Sequence, residues 1–163
     1  MATGDIFPFD NSNSVHMNGS LKYGVASGTT ASINPGEPVQ KLAGAAYVTR
    51  GVTNMPTTTN RIVGVAASTS TETASVSGTV DVIPAQTGMI WLITPNVAAT
   101  WNTQAKYNAL LGSRVLIDLT TNSFTLLAAD GAGNGCIVEY LDIAKYPGKV
   151  AISFSPLSNY LNV

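Results

Sequence analysis

Ser75-Val76-Ser77-Gly78-Thr79-Val80-Asp81-Val82-Ile83 alternates apolar and polar side chains. In an extended chain successive side chains point to opposite sides, so Val76, Val80 and Val82 share one face while Ser75, Ser77, Thr79 and Asp81 share the other. The segment reads as a strand with one buried face and one wet face. Working outward, turn residues recur about every 8–15 residues and bracket segments rich in Val, Ile, Thr and aromatics. These segments are Pro38–Leu42, Ala45–Arg50, Arg61–Ala67, Gly88–Thr94, Arg114–Leu119, Ser123–Ala128, Cys136–Leu141 and Lys149–Phe154. With Ser75–Ile83 they predict an all-β fold, a β-barrel or β-sandwich of about nine strands. The polar link Thr120-Thr121-Asn122-Ser123 between two apolar runs predicts an antiparallel hairpin. Only one stretch has helical character: Thr100 or Asn102 can cap it, Ala105, Lys106, Ala109, Leu110 and Leu111 favour it, and Gly112 can end it in a left-handed conformation. Tyr107, Leu110 and Leu111 then share a face of this one short helix.

The first 36 residues differ in texture. Polar runs at Asp10-Asn11-Ser12-Asn13-Ser14 and Ser27-Gly28-Thr29-Thr30 separate short apolar pieces, and Asn34-Pro35-Gly36 closes the region. Residues 1–36 are therefore expected to be an extended N-terminal arm, and 37–163 the β domain. An arm of this composition docks through its apolar positions, which makes Ile6, Phe7, Phe9, Val15, Met17, Leu21 and Tyr23 the expected interface residues. An ordinary first strand or two of the domain is the alternative reading of the same segment.

Charged residues are 10% of the 163-residue chain and the net charge is −1, against about 25% charged in an average soluble protein. No basic footprint for nucleic acid or an anionic membrane exists, and no block of like charge keeps the chain expanded. The N-terminus has neither a basic n-region nor an apolar h-region, so synthesis in the cytoplasm without a secretory signal is expected. The apolar run Met89–Ile93 is far shorter than the roughly 20 residues of a membrane-spanning helix.

The candidates for chemistry are few. His16 is the single histidine and Cys136 the single cysteine, so neither a disulfide framework nor a Cys/His zinc site can be assembled without carboxylates. A serine nucleophile would need His16 to fold back over the domain, and no Gly-x-Ser-x-Gly elbow presents one. Cys136, at the head of the apolar Ile137-Val138, reads as a small core residue. Asp130-Gly131-Ala132-Gly133-Asn134-Gly135 imitates a phosphate loop but precedes a strand, and imitates a calcium loop but has Ala132 and Leu141 where oxygen ligands belong. Asp118, Glu139 and Asp142 lie in or beside consecutive expected strands and are the candidates for an acid/base pair of the glycosidase kind, with Arg114 or Lys149 as competing ion-pair partners. Trp91, Trp101 and the tyrosines suit either a stacking platform or core packing. The chain is therefore expected to be no enzyme, with no cofactor and no metal.

Asn34-Pro35-Gly36-Glu37-Pro38-Val39, Arg61-Ile62-Val63-Gly64-Val65-Ala66 and Gly88-Met89-Ile90-Trp91 resemble the β core of tailed-bacteriophage capsid decoration, or structural cement, proteins. Ala99-Thr100-Trp101-Asn102-Thr103-Gln104-Ala105-Lys106-Tyr107, Gly112–Leu119 and Gly135–Glu139 are similar to the C-terminal pattern of that group. The likeness spans about residues 34–154 and its motifs mark packing and turns. It implies a non-enzymatic virion protein on the capsid exterior that binds the expanded icosahedral shell and bridges neighbouring major capsid protein subunits. It also implies a homotrimer or homodimer, and partners that include neither nucleic acid nor membrane. A fibre or adhesin-type β domain binding a host-surface glycan is the alternative, and would need exposed aromatics in a pocket.

Overall fold

The computed structural model describes residues 7–8, 20–28, 32–57, 59–86, 88–120, 123–130 and 135–155. Eleven strands follow in chain order: β1 (Phe7–Pro8), β2 (Leu21–Val25), β3 (Pro38–Leu42), β4 (Thr49–Arg50), β5 (Asn60–Ala66), β6 (Gly78–Pro84), β7 (Ile90–Ile93), β8 (Arg114–Thr120), β9 (Ser123–Asp130), β10 (Cys136–Glu139) and β11 (Val150–Ser153). A 3-10 turn at Ala98–Thr100 and the helix α1 (Gln104–Asn108) lie between β7 and β8. Each expected strand has a counterpart, although Ala45–Arg50 forms a strand only at Thr49–Arg50, and the fold is all-β.

The strands form two antiparallel sheets, one of six in the order β1-β7-β11-β10-β8-β9 and one of five in the order β2-β6-β5-β3-β4. Each sheet rolls toward itself. A single parallel bridge, Val25↔Val48, joins the two edges of the five-stranded sheet, and another, Pro95↔Leu126, ties β9 to the chain leaving β7. Neither seam is a continuous ladder, so the choice between barrel and sandwich resolves to two rolled open sheets. The sheets are stitched together at Met55, whose N–H and C=O both pair with Ile117 of β8.

Two cores result. The main one collects Trp91, Ile93, Val115, Ile117, Phe124, Leu126, Val138 and Ile152 of the six-stranded sheet with Ile62, Val65 and Met55 from the other side. The second lies on the opposite face of the five-stranded sheet and holds Val25, Ile33, Val39, Val48, Val63, Ala66, Val80 and Val82. A β-bulge makes this possible. Val39 pairs with Gly64 but the next residue, Gln40, pairs with Ile62, so Val63 is an extra residue that shifts the alternation of β5. Ile62 and Val65 then serve one core while Val63 and Ala66 serve the other.

Three expectations need correction. The strand read from Ser75 begins only at Gly78, and Val76 is 62% exposed. Local hydrogen bonds compete with the extended ladder there: Thr73 Oγ1 accepts from the N–H of Val76, and the Thr73 N–H donates to the Val76 carbonyl. Helix α1 is capped by Thr103, whose side chain accepts from the Lys106 N–H, rather than by Thr100 or Asn102. The helix turns Tyr107 into the core, but it is over before Leu110 and Leu111, and Leu111 is left exposed. Finally, the arm does not extend to residue 36. Leu21–Val25 pairs with β6 through five residue pairs, and Val25 and Ile33 are buried in the second core, so the β domain begins by residue 21. The expected hairpin is present, with Leu119↔Phe124 and Thr120↔Ser123 paired.

Candidate interaction surface

Of the expected interface residues, Ile6, Phe9, Val15 and Met17 lie outside the described residues, and Phe7 is described in its backbone only. Leu21 and Tyr23 sit on β2, an edge strand. Leu21, Tyr23 and Val25 share its inward face, and their burial deepens along the strand: Leu21 is half-exposed, Tyr23 packs partly buried against the second core, and Val25 is fully enclosed. Burial raises the Tyr23 hydroxyl pKa above its ordinary value. Tyr23 therefore serves its own fold, and Leu21 is the exposed apolar side chain at the mouth of the roll. On the outward face Lys22 lies 3.7 Å from Asp81 in an exposed ion pair. A lysine at this position guards an edge strand against unwanted pairing.

The edge of the six-stranded sheet is built differently. On one side β7 is fully laddered to β11, from Val150↔Ile93 to Ser153↔Ile90. On its other side it pairs with β1, through Phe7↔Leu92 and Pro8↔Trp91, and just past its end Thr94 and Asn96 pair with Leu126 of β9. Every residue of β7, Ile90-Trp91-Leu92-Ile93, is apolar.

The residues considered for chemistry are occupied with structure. Cys136 is fully buried in the main core, and burial pushes its thiol pKa well above the ordinary value. Glu139 accepts a hydrogen bond from Ser153 Oγ at 2.6 Å, and Asp142 accepts from the Ala144 N–H within a turn. Asp118 stands on β8 opposite Thr125. Lys149 Nζ donates to Thr94 Oγ1. Ion pairs among the described residues include Lys22–Asp81 and Glu37–Arg50. Among the described residues no group of three or more His, Cys, Asp or Glu side chains could hold a metal, and no helix is long and apolar enough to cross a membrane. His16 and residues 131–134 of the glycine-rich run lie outside the described residues.

Both tryptophans are interior, with Trp91 against Phe154 and Trp101 edge-on to Tyr107. Among the described rings, Tyr47 and Tyr140 alone are strongly exposed. Tyr107 acts as a clamp: its hydroxyl donates to the Glu139 carbonyl at 2.8 Å and accepts from the Ala151 N–H at 2.9 Å, tying α1 to β10 and β11. Burial raises its pKa to about 12. Tyr107→Phe strands a buried N–H and a buried C=O, so a loss of about 1–3 kcal/mol is expected in chemical denaturation. The raised pKa adds a pH dependence. The unfolded chain loses this proton from pH 10 upward while the folded one holds it, so wild-type stability falls between pH 10 and about 12 and the variant lacks that share of the fall.

Sequence reasoning missed the Glu37–Arg50 pair. Glu37 is buried just after the Asn34-Pro35-Gly36 turn, and both of its carboxylate oxygens accept from the Arg50 guanidinium. Its Oε2 also accepts from the Asn34 N–H, and the guanidinium lies 5.3 Å from the Phe124 ring centroid across the sheet boundary. Opposite charges thirteen residues apart leave no periodic trace; the signal available was only that each ends an apolar segment. A shallow open depression beside α1, lined by Ala99, Thr100, Lys106, Ala109 and Leu110, was likewise not foreseen.

In comparisons with known proteins, no family model matches the chain, and no curated protein or solved structure is significantly similar to it.

Proposed function

We propose that this chain is a non-enzymatic structural protein of a tailed-phage virion that binds the outer face of the expanded capsid and bridges neighbouring major capsid protein subunits. The observation that carries the reading is the mode of attachment of the N-terminal segment. Phe7–Pro8 adds to an open sheet edge by main-chain pairing, a contact that needs no charge and transfers readily to other strand edges. A charge content of 10% fits surfaces destined to be covered, since each charge in an obligate interface must be desolvated. The resemblance over residues 34–154 points the same way. A glycan-binding fibre domain draws less support, because both tryptophans are committed to the interior.

The test adds purified protein to expanded, undecorated capsids. Saturable binding with raised thermal resistance of the shell is expected, and a chain lacking residues 1–19 is expected to bind at least about tenfold more weakly, since several arms per oligomer act through effective concentration. The truncation stops at residue 19 because Val25 and Ile33 belong to the core. Absence of saturable binding by the full chain overturns the reading.

A further inference from the structure

We propose that Lys41 and Arg61 form a clamp for an oxyanion, whose occupant is a carboxylate side chain of a partner protein. An acidic partner of any kind satisfies the site, so it stands apart from the virion reading.

Three observations carry it. First, the two cations are direct cross-strand partners: in the antiparallel pairing of β3 with β5, Lys41 lies opposite Arg61. Residues so placed have Cβ atoms about 4.5–5.5 Å apart, and like charges there are destabilising. The chain has only eight Lys and Arg residues, yet two of them are set against each other here. An anion between them replaces one repulsion by two attractions. Second, Arg61 is unengaged. Lys22 has Asp81, Arg50 has Glu37, and Lys106 Nζ donates to the Ala99 carbonyl and to Asn102 Oδ1. The Arg61 side chain has neither an ion pair nor a hydrogen bond among the described residues, which leaves its planar fork of N–H donors for an incoming acceptor. Third, the backbone aims both stems the same way. Lys41 is two residues on from Val39, which is buried in the second core, so both cations leave the sheet on that core's face. Each is partly buried, with its stem on apolar ground and its charged end toward water.

The chemistry selects the occupant. A carboxylate offers two acceptor oxygens that match a guanidinium fork. A nucleic-acid backbone instead calls for a broad basic patch, and this chain has a net charge of −1.

The experiment follows the full chain by NMR during titration with glutarate and, separately, with inorganic phosphate, at ionic strength held constant with sodium chloride. Saturable shifts centred on Lys41 and Arg61 are expected with glutarate. They should need at least about tenfold more glutarate in Arg61→Gln, which loses a charge-assisted hydrogen bond, and be unchanged in Lys22→Gln. Saturation by phosphate alone overturns the carboxylate assignment, and saturation by neither overturns the clamp. As a second measurement, Lys41→Gln, Arg61→Gln and the double variant are unfolded in denaturant at low salt. The cycle cancels what each stem contributes to packing. A repulsive coupling that fades when glutarate is added is expected, and coupling that is absent or attractive without glutarate overturns the proposal. Neither assay involves capsids, so failure here leaves the virion reading as it stands.

Discussion

Arg50→Met is expected to lower the stability of the folded chain by about 3–5 kcal/mol, the cost of leaving a buried partner charge uncompensated. The side chain of Glu37 is only 7% exposed and that of Arg50 16%, so water cannot replace the lost guanidinium. Without it, the Glu37 carboxylate keeps the hydrogen bond from the Asn34 N–H as its one partner among the described residues. The substitution also removes the cation from the Phe124 face, which links the β4 edge to the six-stranded sheet. Glu37→Met should cost a similar amount, for the complementary reason and because the turn at Asn34 loses its anchor. The double substitution Glu37→Met/Arg50→Met should recover much of the loss, since a buried ion pair is close to break-even against apolar residues of similar volume. A double-mutant cycle in denaturant measures this coupling directly. Single substitutions costing under about 1 kcal/mol would put the pair in the range of an exposed one and refute its role as the buried fastening of the β3–β4 edge.

The second large effect is expected at Gly64→Ala. Gly64 lies at the bulge in the middle strand of the five-stranded sheet, paired with Val39 on one side and Pro84 on the other. A Cβ there would lie 2.0 Å from the Ile83 carbonyl oxygen and 2.6 Å from Val82 Cγ1. The nearer obstacle is backbone, so relief requires parting β5 from β6. The cost should reach the upper part of the overpacking range, about 3 kcal/mol, a fall of roughly 10 °C in Tm for a chain of this length. Gly112→Ala is the matched control. Gly112 has a left-handed φ of +75° but open space around it, so the change should cost only the conformational penalty of about 1–2 kcal/mol. Equal losses at the two positions would show that close approach of the strands is not what Gly64 provides.

These two positions also mark how far the sequence could be read. Glu37 stands just before one expected strand and Gly64 inside another, yet nothing local says that one carries a buried charge and the other touches a neighbouring carbonyl. The expected interface was legible only as apolar positions in a polar segment. Leu21 and Tyr23 have the same local character as Phe7 and Phe9. What separates them is pairing with β6, which depends on residues about sixty positions away.

Strand positions and the Leu119–Phe124 hairpin follow from the sequence by itself, because alternation and turn chemistry act over a few residues. The division of the described strands into two rolled sheets, the β-bulge at Val63 that sets which residues of β5 feed which core, and the membership of Leu21–Val25 in the five-stranded sheet were decided only in the tertiary structure. They depend on which distant segments meet, and the same alternating strand can satisfy its apolar face against many partners. Packing of the whole chain selects among them: the pairing adopted is one that buries Glu37 against Arg50 and lets Ile83 approach the bare backbone of Gly64.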